Sequence, residues 1–254
     1  MFRTMLRDYI LSRKSLRKPS VRICSEHLCL PALFTSYSSN DLRSMLMLPV
    51  SNSSTQLNQD VFALLINRFK PGYFLEIGAN DGITLSNTLY LEENFGWSGL
   101  LVEANPFYEQ KLCQRNAISV IAAVADREGV CEFKSAGLFG GIIDTLDDGY
   151  KKYQKEDNNI IVQTLPMSRI LSDNNAPSRI DFISIDVEGA EPGIVRQLCS
   201  LEQYRFTCGC IEHNHRRDDY SSIESNLLSA NYSIIWKDQT GHDLFFVDRS
   251  IRWD

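Results

Sequence analysis

Apolar residues recur at helical spacing in "DVFALLINRF" (60–69) and stop at "KPG", which predicts a lead-in helix followed by a turn. The short apolar run "YFLEIG" (73–78) reads as a strand. The pattern in "NDGITLSNTLYLEENFG" (80–96) reads as an amphipathic helix closed by Gly96. "SGLLVEAN" (98–105) is a second strand, "PFYEQKLCQRN" (106–116) a helix opening on proline, and "ISVIAAVAD" (118–126) a third strand. This β-α-β-α-β alternation predicts a parallel sheet with helices on both faces, right-handed crossovers and a ligand site beyond the carboxyl ends of the strands.

The middle of the chain is less regular. "VCEFKSA" (130–136) reads as a strand and "GLFGG" (137–141) as a flexible turn, with Gly140 and Gly141 as functional candidates and Phe139 as a cover for a bound ligand. "DDGYKKYQKEDNN" (147–159) is a charged surface stretch. "IIVQTLPMSRIL" gives a strand and a short helix, "IDFISIDVEG" (180–189) a buried strand, "AEPGIVRQL" a helix and "RFTCGCIEHN" (205–214) another strand. After the helix "SSIESNLLSA", "YSIIWK" and "DLFFVD" form a terminal antiparallel hairpin across "DQTGH". Trp97 and Trp236 are packing residues. The fold class is therefore α/β: a single doubly wound, Rossmann-like domain whose mostly parallel seven-stranded sheet ends in an antiparallel hairpin.

The 254 residues suffice for one large domain. A serine- and asparagine-rich stretch near 36–56 reads as linker, which divides the chain into a basic extension and linker, 1–57, and a main domain, 58–254. Seven basic residues stand against Asp8 alone in the first 22, a net of +6 that leaves −12 for the rest of a chain of net charge −6. That head reads as a solvated extension, a helix on an anionic membrane surface, or a targeting peptide. The acidic body argues against a nucleic-acid partner, and no apolar run is long enough to span a membrane. Seven cysteines without a C-x-x-C pair indicate a reducing compartment, the cytoplasm. The N-x-S sites at Asn52 and Asn231 carry little weight without a secretory signal.

Carboxylates recur at the strand ends: Glu76, Glu103, Asp126, Asp186 and Glu212. Any one is explained by the ordinary preference of acids for exposed turns; their recurrence at one sheet edge is informative. An acid ending the second strand can accept both hydroxyls of an adenosine ribose, the role given to Glu103. The turn "GANDG" (78–82) lacks the dinucleotide glycine fingerprint. Its Asp81, with Glu76, would repel a pyrophosphate but suit a cationic sulfonium bearing an amino group. S-adenosylmethionine fits this pattern better than a nicotinamide dinucleotide, and an oxidoreductase ranks last.

"FLEIGANDG", "LVEANP", "AAVADREG" and above all "IDFISIDVEGAE" resemble the motifs of the FkbM-type S-adenosylmethionine-dependent methyltransferases over roughly residues 58–248, and Gln59–Asp60 resembles the family's lead-in. The resemblance implies that Glu76, Gly78, Asn80 and Gly82 line the methionine side of the cofactor, Glu103 the ribose, and Ala125 with Asp126 the adenine. Asn80 stands where many methyltransferases of this fold have glycine. The implied reaction is O-methylation of a sugar, glycan or secondary metabolite. The acceptor and oligomeric state stay open.

A hydroxyl is a poor nucleophile until it loses its proton. Asp186 is the first candidate base and also faces the cofactor, with Glu188 on the same side by the two-residue period of extended chain. Glu191 reads as a helix N-terminus partner. In "IEHNH", Glu212 and Asn214 share one side, and His213 and His215 the other; His213 is the second candidate base. Asp186, Glu188, Glu212 and His213 could also hold a divalent metal, Mg or Mn, which stays unassigned. The alternative from another class is a non-enzymatic binding or trafficking protein that meets a membrane surface through residues 1–22.

Overall fold

The computed structural model describes residues 55–146, 159–213, 217–235 and 242–251. The basic head, the linker through 54, most of the charged stretch (147–158), Asn214, His215, Trp236 and most of the hairpin turn lie outside them.

Element order is α1 (Gln59–Ile66), β1 (Tyr73–Ile77), α2 (Leu89–Phe95), β2 (Ser98–Glu103), α3 (Glu109–Leu112), β3 (Ile118–Ile121), β4 (Ala123–Val124), β5 (Gly129–Lys134), β6 (Gly141–Ile142), β7 (Asn159–Leu165), α4 (Met167–Asp173), β8 (Arg179–Ile180), β9 (Phe182–Ile185), α5 (Glu191–Ser200), β10 (Arg205–Phe206), β11 (Cys208–Glu212), α6 (Arg217–Ser229), β12 (Tyr232–Ile235) and β13 (Asp243–Asp248). The main sheet has seven strands in the order β12-β13-β11-β9-β1-β2-β3. All neighbours are parallel except β13, which runs antiparallel to both β11 and β12. This is the expected doubly wound α/β fold. No helix among the described residues is long and apolar enough to cross a membrane.

The two-residue period of the strands sorts the core into two layers. Leu75 and Ile77, Ile183 and Ile185, and Ile211 pack with α4, α5 and α6. Phe74, Leu101, Phe182, Cys208, Cys210, Phe245 and Val247 pack with α1, α2 and α3. Each strand of the second layer is polar where it reaches the carboxyl edge. Continuing the same alternation places Glu76, Glu103, Ser184, Asp186, Glu212 and Asp243 on that one face.

Two expectations need correction. The helix predicted over 80–96 is confined to Leu89–Phe95, with Gly96 ending it at φ 67. Residues 80–88 bond with their side chains instead: the Asp81 carboxylate accepts from the Ile83 and Thr84 amides, and Ser86 and Thr88 reach Glu76. Such local side-chain bonds compete with a helix. The third strand also divides after Ile121. Ala123–Val124 leaves the main sheet to pair with β7 in a four-stranded sheet of order β4-β7-β5-β6. A further two-stranded sheet joins β8 and β10.

Candidate active site

A cleft of about 280 Å3 opens over the carboxyl ends of β1, β2, β9 and β11, where α2 starts too late to cover the sheet. Gly78 opens its floor, with φ 86; a Cβ there would lie 1.7 Å from the Asp186 carbonyl oxygen. The glycine is thus required first by protein backbone, since β1 and β9 converge at this point. Asn80 takes the left-handed conformation itself (φ 50), which asparagine tolerates better than most residues. Gly82 faces away from the cleft, against Leu112 and Arg115.

At one end of the cleft Glu103 is buried and accepts from the Asn80 and Asn105 amides, both at 2.8 Å. Burial pushes its carboxyl up, and those amides pull against it. Asn80 Oδ1 is buried at the cleft with no hydrogen-bond partner. Next to Glu103 lies a small apolar slot lined by Ala122, Ala123, Val124, Phe133 and Val187. Ala125 and Asp126, the residues expected there, are displaced: Ala125 donates to the Leu165 carbonyl in the second sheet and Asp126 is exposed. The chain's exit into β4 brings the three preceding residues, Ala122, Ala123 and Val124, to the slot instead.

Glu76 is 4% exposed and forms part of the cleft wall. Its carboxylate accepts from Ser86 Oγ (3.0 Å), the Asn87 amide (2.8 Å) and Thr88 Oγ1. Burial raises it above the ordinary range, while those donors and nearby Arg115 lower it. Asp81, expected beside the ligand, braces its own loop and pairs with Lys111 at 3.1 Å. Burial alone would raise it, but the Thr84 and Ile83 amides and Lys111 hold it below its usual value.

At the other end, Asp186, Glu188 and Glu212 bring one carboxylate oxygen each within 4.8 Å of one another. Asp186 is exposed to solvent at the cleft, Glu188 is buried and Glu212 half-buried. Burial and then the Glu212 carboxylate, hydrogen-bonded to it, push Asp186 well up; Asp243 and Glu76 add to this. Burial pushes Glu212 up to about 7. The hydrogen bond with Asp186 opposes that rise and adds to the rise of Asp186, so the two carboxyls titrate as a pair. The cluster offers only oxygen, a donor set suited to Mg2+ or Mn2+.

Glu191, buried at the start of α5, accepts from the Val187 and Gly189 amides and so braces the "DVEG" turn, where Glu188 has φ 61. Burial raises it to about 7. His213 is nearly buried, its ring edge-on to Tyr220 at 5.0 Å, and it lies outside the cleft wall; His242, one residue before β13, lines it.

Sequence reasoning missed Asp243, which pairs in register with Glu212, accepts from Gln59 Nε2 at 2.9 Å and is raised by burial to about 6. The alternation in "DLFFVD" puts Asp243 on the face of Phe245 and Val247 and was the available signal. It also missed Ser86, Asn87, Thr88 and Arg115, which surround Glu76.

The family model described as "Methyltransferase FkbM domain" matches residues 76–234. No curated protein matches the chain. Among solved structures, the methyltransferase FkbM of Methylobacillus flagellatus KT is similar at 14% identity and TM-score 0.44, over 85% of this chain and 58% of that one. This chain thus spans a little over half of that protein. An O-methyltransferase of Bacillus cereus in complex with SAH is similar at 12% identity and TM-score 0.45, over 98% of this chain and all of that one. A methyltransferase of Pyrococcus furiosus follows at 12% and 0.38, over 84% and 100%. Likenesses this distant say nothing of activity, whereas the family model covers more than half of the chain, from the end of β1 through β2, β9 and β11: the chain belongs to the FkbM methyltransferase family.

Proposed function

We propose that this chain is an S-adenosylmethionine-dependent O-methyltransferase acting on a hydroxyl of an uncharged acceptor, a sugar, glycan or hydroxylated secondary metabolite. The observation that carries this reading is the continuity of the cleft. Glu103 and Glu76 line one end, Asp186 and Glu212 the other, and nothing divides them.

The donor end fits the cofactor. Glu103 is placed for ribose hydroxyls, the apolar slot for a purine face, the unpartnered Asn80 oxygen for a hydroxyl or amino donor, and Glu76 for an ammonium. When bound, the cofactor supplies an electrophilic methyl group on a cationic sulfur.

At the acceptor end, the Asp186–Glu212 pair serves as general base. With one proton between them, the pair takes the hydroxyl proton as oxygen attacks; holding the two reactants in line supplies much of the remaining rate. Glu76, Glu103, Asp186, Glu188, Glu212 and Asp243 line the cleft, and no described lining residue is Lys or Arg. A phosphorylated or carboxylated acceptor would meet net repulsion there, which favours a neutral polyol and argues against nucleic acid. Asp186, Glu188 and Glu212 would hold Mg2+ or Mn2+ if the reaction uses one, and the ion would acidify the acceptor hydroxyl; activity that survives EDTA would leave the carboxylate pair as the base.

The test is methyl transfer from radiolabelled cofactor to a panel of polyols and their phosphate esters. Asp186→Asn should lower the rate by about 10²–10⁴-fold with S-adenosylhomocysteine binding retained. Retained activity in that variant would remove Asp186 from the chemistry.

A further inference from the structure

The Arg115 guanidinium is buried in the layer behind Glu76, and its hydrogen bonds can be counted to completion. Nε donates to Glu92 Oε1 at 3.1 Å, and Nη2 to Glu92 Oε2 and Thr88 Oγ1, both at 3.2 Å. Nη1 donates to Ser86 Oγ at 3.3 Å and to the Gly82 carbonyl. A guanidinium has five N–H donors, and here each has an acceptor. Glu92 is filled likewise, by the two bonds from Arg115 and by the Asn116 and Ala117 amides.

A guanidinium cannot accept a hydrogen bond. Wherever Arg115 points at the Ser86 and Thr88 hydroxyl oxygens, their protons are directed elsewhere, and both turn to Glu76 Oε2. With the Asn87 amide on Oε1, three of the roughly four acceptor positions of the Glu76 carboxylate are occupied. The remaining position is on Oε1, and Glu76 is a residue of the cleft wall. Gly82 fits the same arrangement, since a Cβ there would press on Leu112 and on Arg115 Cγ at 3.3 Å.

We infer that Arg115 is a positioning residue for cofactor binding: by fixing the Thr88 hydroxyl as a donor and adding to the amides that fix Ser86, it holds Glu76 as an oriented carboxylate with one acceptor position left for the cofactor's ammonium. The inference rests on the S-adenosylmethionine reading above. It adds a role to a residue that touches no ligand and lies outside the motifs of the cleft.

Three ionisable groups bear on Glu76: Arg115 from the turn after α3, Asp186 beyond β9 and Cys210 on β11. Asp186 and Cys210 are both raised, and Glu76 contributes to each, whereas Arg115 joins the Thr88 hydroxyl and the Asn87 amide in favouring the ionised Glu76. Without Arg115, the Thr88 hydroxyl is free to turn, while the Thr88 and Leu89 amides still hold Ser86 Oγ, and the acid holds its proton to higher pH.

The experiment is calorimetric titration of the full chain with S-adenosylhomocysteine from about pH 6 to about pH 9. Arg115→Met should weaken binding by about 10- to 100-fold near pH 6, the scale of hydrogen bonds to a charged group, and recover part of the loss as pH rises. Arg115→Lys should not restore the wild-type profile, because an ammonium lacks the five-donor fork. Thr88→Val removes one donor with the guanidinium in place and should give the same pH-dependent loss, smaller in size; it serves if Arg115→Met does not fold. Unchanged affinity in these variants, or a loss equal at every pH, would overturn the inference and leave Arg115 a packing residue. A wild-type protein that does not bind the ligand at all would overturn the cofactor reading instead.

Discussion

Glu76 and Glu103 are enclosed more completely than Asp186, yet their neighbours donate. Glu76 receives two hydroxyls and an amide, and Glu103 two amides. Asp186 faces Glu212, with Glu188 close by and Asp243 paired to Glu212 across the strands. Burial raises Glu76, Glu103, Asp186 and Glu212, but donors resist the rise of the first two while like charges reinforce that of the second two. In the proposed reading, the donors favour the charged form at the end assigned to the cofactor, and the like charges favour the protonated form at the end assigned to the acceptor. What separates the two ends is the chemistry of their neighbours, not depth.

The comparison can be broken most severely where the two ends touch. Gly78→Ala places a methyl group on the Asp186 carbonyl at a left-handed backbone position. It should cost at least about 3 kcal/mol, read as a fall of roughly 10 °C in Tm, with both cofactor binding and transfer lost. A variant as stable as the wild type would show that β1 and β9 do not converge as described.

The donor end is sharpened by Glu103→Gln, which should weaken S-adenosylhomocysteine by about 10- to 100-fold in calorimetry and leave the pH dependence of transfer unchanged. The acceptor end is sharpened by pH. A base must be ionised, so transfer should rise as pH passes through about 7, the value to which burial takes Glu212. Glu212→Gln removes the like charge beside Asp186, and the rising limb should move to lower pH. A limb that stays in place would uncouple the pair.

The smallest effect lies in the control region. Asp248, buried opposite the cleft, accepts from Arg205 at 2.7 Å and Arg179 at 3.1 Å. Burial opposes its ionisation, but Arg205 and Ser250 hold it down to about 2 against an ordinary 3.8. A lowered carboxyl stabilises the fold above its unfolded value, and that contribution is lost as pH falls from about 4 through about 2. Urea melts across that window should show the slope, and Asp248→Asn should flatten it without altering transfer at neutral pH.

How much of this was legible in the sequence depends on how far apart the interacting residues stand. β1, β2, β9 and β11 announce themselves through β-rich apolar runs, and the acids that end them follow from the same parity. The loop at 80–88 did not, because Ser86 and Thr88 keep helical spacing with their neighbours, and the bonds that take the segment out of a helix run from Asp81 to its own loop and from Ser86 and Thr88 to Glu76, ten and twelve residues away. The break after Ile121 is set by pairing with β7, more than 40 residues on, so a continuous apolar run hid it. Asp243 needed only the parity of "DLFFVD", but its relation to Glu212 required the antiparallel register. Arg115 was invisible, since its partners lie 23 to 33 residues earlier, in a loop whose own shape was not predicted.

The most direct test is a crystal structure with S-adenosylhomocysteine bound. The account places the ribose on Glu103, the amino group on Glu76 and the sulfur facing Asp186 across a gap that admits one acceptor oxygen. A ligand bound outside this cleft, or one whose sulfur faces away from Asp186, would contradict it.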